Sequence, residues 1–193
     1  MGKLYIDTKE LKKIAFRLRD VPKQIPGATA SALNRTLTHT ATKMDREVRN
    51  EYAIKSTDVK KTIRKYKASK SKLYARIESK GGTISLSKFP HSPKKYNKRA
   101  KNVKVKVKQS GQKVINTQPK AFVQNINGAT NIWRRKNRNR NSIIVLRTLS
   151  VPQMISNKKT MKKIKKAAHD KLKERVNHEI DWRLGKLTAK GGK

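Results

Sequence analysis

Two acid pairs, Asp45 with Glu47 and Glu179 with Asp181, and four histidines, His39, His91, His169 and His178, are the side chains of a type that could hold a metal or move a proton. Their spacing argues against both roles. Each acid pair falls inside a helical pattern, where residues i and i+2 point to different faces and cannot share one magnesium ion. The histidines are scattered, with no HExxH spacing, and neither a GxSxG elbow nor a GxxxxGK[ST] phosphate loop occurs. The absence of cysteine removes thiol nucleophiles, disulfides, zinc fingers and iron–sulfur clusters. The sequence therefore predicts no enzyme, no metal, no cofactor and no small-molecule substrate.

The chemistry that remains is charge. Lys and Arg number 51 against 12 Asp and Glu, a formal net charge of +39 over 193 residues. Residues 79–169 hold 24 Lys or Arg and not one carboxylate. A solvated face needs mixed signs, so a long stretch of one sign is read as facing a polyanion. The densest clusters are a loop with Lys94, Lys95, Lys98, Arg99 and Lys101, a strand with Lys104, Lys106 and Lys108 on one face, and a tip with Arg134, Arg135, Lys136, Arg138 and Arg140. These are the candidate phosphate contacts. Asparagines alternate with arginines in the tip, RRKNRNRN, and both types read base edges. A tip lacks a rigid element to hold them in a groove, so sequence-independent backbone contact is the expectation. Tyr74, Phe89, Tyr96 and Trp133 are candidates for a stacking platform, but aromatics make up only 5% of the chain and are assigned to the core.

These clusters must be positioned by a thin core. Leu, Ile, Val and Phe total 41 residues, about 21% of the chain, close to the level below which charged chains stay disordered. Self-repulsion among the cations adds to the deficit, so an anionic partner or an assembly burying further apolar surface is expected. No apolar run approaches the length of a membrane span, and the start, MGKLYIDTKELKK, lacks the apolar run of a secretory signal.

The spacing predicts helices at both ends. Asp7-Thr8-Lys9-Glu10 has capping-box spacing before Leu11, Ile14 and Leu18. Leu33, Leu37, Ala41, Met44, Val48 and Tyr52 form one stripe of a long helix over 27–54. Ser56-Thr57-Asp58 is positioned to cap a third helix carrying Val59, Ile63 and Tyr66. A basic β region over 72–150 follows. It predicts a hairpin reversing at Gly81-Gly82, a mobile loop over 90–102, a hairpin through Val103, Val105, Val107 and Val114, and another turning at Asn127-Gly128. The apolar run 142–146 reads as the strand at the centre of the sheet. Pro152 closes the region. Met161, Ile164, Ala168, Leu172, Val176, Ile180, Leu184 and Leu187 then mark a helix over 157–187, followed by a disordered tail at 188–193. The expected fold is one α+β domain over 1–187, an antiparallel β-sheet flanked by two long amphipathic helices, with basic loops.

Four short pieces in this order carry a resemblance: Ala32-Leu33-Asn34-Arg35-Thr36, Ile84-Ser85-Leu86-Ser87-Lys88-Phe89, Ala121-Phe122-Val123-Gln124, and Val151-Pro152 before a long last helix. Together they resemble the minor tail protein Z family of long-tailed phages over about 27–187. The resemblance implies a virion tail-completion protein, made in the host cytoplasm and placed at the head-proximal end of the tail. It also implies a homo-oligomeric ring of about six copies, partners among the tail terminator, tape-measure end and connector, and non-specific contact with phage DNA. No membrane partner is expected. Two other classes explain the charge as well: a head-side neck or connector protein, and a sequence-independent architectural nucleic-acid-binding protein.

Overall fold

A computed structural model of the chain describes residues 2–3, 9–137, 139 and 141–191. Asp7 and Thr8 of the expected capping box, and Arg138 and Arg140 of the tip, lie outside the described residues. The fold is α+β, with long helices near the two ends and small antiparallel sheets between them.

Helix α1 (Lys9–Arg17) is followed by a 3-10 turn (Pro22–Gln24) and then by the long α2 (Ile25–Glu51). Pro26 sits in the first turn of α2, where its missing N–H costs nothing, so the helix starts just ahead of the proline. The stripe residues Leu37, Met44, Val48 and Tyr52 are buried. The short α3 (Ser56–Lys60) is less than the sequence predicts. Its N-cap is Lys55, with no side-chain cap, and the Ser56 hydroxyl instead donates to Asp45 of α2 at 3.0 Å. Ile63 and Tyr66 leave the helix altogether: β2 (Ile63–Tyr66) pairs antiparallel with β3 (Arg76–Ser79), whose other edge takes β1 (Gly2–Lys3).

That pairing removes the hairpin expected at Gly81-Gly82. Strand β4 (Thr83–Ser85) pairs with β11 (Arg147–Ser150), not with β3. A Cβ on Gly81 would stand 3.1 Å from the Thr62 methyl, so this position is a close crossing and not a tight reversal. The third sheet is β5 (His91–Ser92), β6 (Lys104–Lys108) and β7 (Gly111–Val114), which places a short strand inside the expected loop. The fourth is β8 (Phe122–Ile126), β9 (Ala129–Arg135) and β10 (Ile143–Val145). Asn127 (φ 51°) and Gly128 (φ 77°) make the β8–β9 turn, a left-handed pair that asparagine and glycine adopt at least cost. The central strand is β9. The apolar β10 is an edge strand of three half-buried residues, because hydrogen-bond partners, and not apolar content, decide the centre.

Helix α4 (Val151–Ile155) begins with a capping box in which Ser150 accepts from the Gln153 backbone and the Gln153 side chain accepts from the Ser150 N–H. The last helix, α5 (Lys158–Gly191), runs past Leu187 through residues expected in the polar tail, and Leu187 is exposed on it. Asn157 caps α5 by accepting from Lys159 N–H at 3.0 Å.

Helices α2 and α5 pack along each other and carry two apolar clusters. Ile14 of α1 and Leu18 just beyond it meet Ala28, Ala32, Leu172, Val176 and Ile180 in one. Leu37, Met44, Val48 and Ile164 meet Phe89, Val105, Val123, Ile132 and Met154 in the other. Each fully buried aliphatic side chain contributes about 1.5–3 kcal/mol, so the helix pair is the spine on which the sheets are mounted.

Candidate nucleic-acid interface

Among the described residues the acids are mostly paired with cations of the helices, with Glu78 on β3 held by Arg76. Asp45 is buried and held by Arg49 at 3.1 Å, and Glu47 is buried between Lys43 at 3.1 Å and Lys163 at 3.5 Å. Burial pushes the Glu47 carboxyl up, but the hydrogen bonds and charges of Lys43 and Lys163 outweigh it and hold the group below its usual range. Glu179, its side chain 6% exposed, is gripped by Arg183 and by Arg175 at 3.3 Å. Burial raises it too, and the guanidinium of Arg183, with help from Ser31 and Arg175, lowers it further than burial lifts it. Asp45, Glu47 and Glu179 are thus ion-pair partners, each pointing its own way. Among the described residues no cluster of His, Asp or Glu is arranged to hold a metal ion.

Past β3, whose Arg76 pairs with Glu78 at 3.2 Å, the described cations of the β region have no such partners. Among the described residues, no lysine or arginine between positions 80 and 147 pairs with a carboxylate. Lys94, Lys95, Lys98, Arg99 and Lys101 are all exposed on the segment between β5 and β6. Lys104 and Lys108 are exposed and Lys106 half-buried, but a register shift between Val105 and Lys108 breaks the strict alternation expected of an all-lysine face. Arg134 and Arg135 are half-buried at the end of β9, opposite Ile144 and Ile143, while Lys136 is exposed beyond them.

Only part of this set comes together. Lys94 and Lys106 line an open cleft of about 980 Å³, joined there by Lys55 and Lys61 from around α3 and by Lys88. Lys55 and Lys61 were not legible in the sequence, since they come from a segment far from the charge clusters, whereas Lys88 lies six residues before Lys94. His91 also lines the cleft, its Nδ1–H donating to the Phe89 carbonyl at 2.8 Å, and Asp58 is the one acid of the lining. The floor is polar. Asn131 accepts from the hydroxyls of Ser85 at 2.9 Å and Ser87 at 2.8 Å. Arg134 and Arg135 do not join this group: they stand at the opposite end of β9 from Ala129, about 20 Å away at strand rise.

The tip asparagines have a local task. Asn137 accepts from the Asn139 backbone at 3.0 Å and Asn139 from that of Asn141 at 3.2 Å, which folds the chain back toward β10. The aromatic assignments divide. Phe89 is in the core and Trp133 is half-buried, its indole N–H donating to the Gln124 carbonyl at 3.0 Å. Tyr74 and Tyr96, expected inside, are exposed because neither lies on a strand or helix with an inward face.

The site is therefore an electrostatic surface, able to hold anions by charge. Among the described residues no helix is long and apolar enough to cross a membrane. A family model described as prophage minor tail protein Z (GPZ) matches residues 9–190. No curated protein and no solved structure matches the chain.

Proposed function

We propose, from the premise that the chain belongs to the prophage minor tail protein Z family and is a structural component of a phage tail, that it is a tail-completion protein which forms a basic ring at the head-proximal end of the tail and holds the DNA end by its phosphates. Family membership already brings it into contact with other tail components. The observation that carries the finer reading is the stretch from 80 to 147, whose described cations have no carboxylate partners while the helices keep theirs. Such a surface is repelled by its own copies and stabilised by a polyanion.

Cyclic assembly gives the charge a direction. Six copies at +39 each carry about +234, and a ring that turns part of this inward attracts duplex without reading sequence. Lys94 and Lys106 in the cleft, with Lys55, Lys61 and Lys88, are the first contacts of this reading. Lys95, Lys98, Arg99, Lys101, Lys104 and Lys108 flank it. Arg134, Arg135 and Lys136, at the far end of β9 from Ala129, add a second point. Arg138 and Arg140 belong to the same cluster by sequence.

Immunogold labelling of separated heads, separated tails and intact particles tests the position. Label at the head-proximal tip of free tails is the expected result. Label on heads would move the protein to the neck or connector, and label spread over host nucleic acid would make it an architectural binder.

A further inference from the structure

A surface distinct from the lysine cleft combines aromatic rings with cations. In the β2–β3 register Tyr66 lies opposite Arg76, whose guanidinium sits 4.4 Å from the ring centroid. Glu78, the next residue on that face of β3, holds Arg76 through a 3.2 Å ion pair, so the guanidinium is pinned beside the ring. Tyr66 and Tyr74, with Lys65, Lys67, Lys72 and Arg76, line one open cleft of about 560 Å³. Tyr66 is 40% and Tyr74 50% exposed. No carboxylate lines the cleft, and Glu78, the acid beside it, is buried and already engaged.

The segment joining the two tyrosines is held in shape. Asn34 on α2 fastens the Ala68 backbone, and Ser69 and Lys72 exchange backbone hydrogen bonds at 2.9 and 3.2 Å, with the Ser69 hydroxyl also accepting from the Lys72 N–H at 3.0 Å. The rings are therefore presented by a fixed turn beside an edge strand. Ordering them on a ligand costs little.

Cations alone hold phosphates of any nucleic acid. Exposed rings add something only when base faces are free, because in a duplex each face is covered by its neighbour, whereas an unpaired base offers its face to a tyrosine or a flat guanidinium. We infer that the Tyr66–Tyr74 cleft binds single-stranded DNA, bases stacked on the two rings and phosphates on Lys65, Lys67 and Lys72, without preference for sequence. The inference rests on the reading of the protein as a DNA-contacting component, but uses another surface and another state of the strand.

The test is fluorescence anisotropy at fixed salt with a labelled oligothymidylate of about twelve nucleotides and a duplex of the same length. Tyr74→Ala is expected to weaken the single strand about tenfold or more while leaving the duplex within about twofold, and Tyr74→Phe to behave as the unaltered protein. Tyr66→Ala should add to the loss. Because Tyr66 also packs on Arg76, its thermal midpoint is measured alongside, and the half-exposed Tyr74 keeps the test independent of folding. Equal losses for both ligands, or none for either, would overturn the inference. Duplex binding with a single-strand affinity indifferent to Tyr74 would sink this inference and leave the proposed function standing. Ring-dependent single-strand binding without duplex binding would do the reverse, and binding of neither would end both.

Discussion

The carboxamide of Asn34 clamps the backbone of Ala68: its Nδ2 donates to the Ala68 carbonyl at 2.9 Å and its Oδ1 accepts from the Ala68 N–H at 2.8 Å. A carboxamide carries a donor and an acceptor side by side, and so meets both backbone groups of one residue. The other pieces that carry the family resemblance are joints of the same kind. Ser85 and Ser87 hold Asn131 of β9, the Gln124 carbonyl takes the Trp133 indole, and Val151 and Pro152 open the capped α4. The motifs mark where elements meet, and of the cations lining the cleft they hold only Lys88.

Asn34→Ala should destabilise the fold by about 1–3 kcal/mol, since it leaves a partly buried donor and acceptor unmet. Hydrogen exchange checks the mechanism: the Ala68 amide should lose protection more than the amides of α5.

Leu37→Asp should prevent folding, because Leu37 is buried in the larger apolar cluster, whose members offer no cation to pair an introduced carboxylate. Circular dichroism and solubility decide it. A soluble, cooperatively melting variant would place the α2 stripe outside the core.

Acid should destabilise the protein in two steps. The neutral form of His39 is favoured in the fold, first by burial and then by Lys171, with Lys43 and Arg46 on the same side and Glu174 opposing them. A lowered histidine means the unfolded chain binds the proton more readily, so stability falls as pH drops below the ordinary 6.5 toward the lowered value. The lowered Glu47 and Glu179 contribute fully above the ordinary 4.5 and lose that contribution as pH falls through their lowered values. Thermal midpoints against pH should show both regions, and His39→Gln should flatten the upper one.

Glu179→Gln should cost about 3 kcal/mol at neutral pH by stranding Arg183 and Arg175, a fall of roughly 6–12 °C in the thermal midpoint. The penalty should shrink as pH falls from the ordinary 4.5 through the lowered value, where the native carboxyl is itself neutralised.

Lys61→Gln, Lys88→Gln and Lys94→Gln together should reduce the slope of log affinity for duplex against log salt, by about 0.9 for each phosphate no longer neutralised. All three are exposed, so the thermal midpoint should hold or rise as repulsion is relieved. An unchanged slope would take the cleft out of the DNA interface.

The amino-acid sequence determined by itself the helical ends, the β8–β9 turn at Asn127-Gly128 and the one-sign charge of the middle. Each of these is local: a helix declares its buried face every three or four residues, a left-handed turn declares itself in two, and charge needs no partner to be counted. Tertiary structure alone decided the pairings outside the β6–β7 and β8–β9 hairpins: that β2 joins β3, that β4 joins β11 and not β3, that β9 and not the apolar β10 is central, and that Tyr66 enters a strand. It also decided which cations meet, drawing Lys55, Lys61 and Lys88 to Lys94 and Lys106, and leaving Tyr66 and Tyr74 exposed over a separate cleft. The reason is that strand partners and surface neighbours are chosen by interactions between residues distant in the chain, and no periodicity along the chain records them.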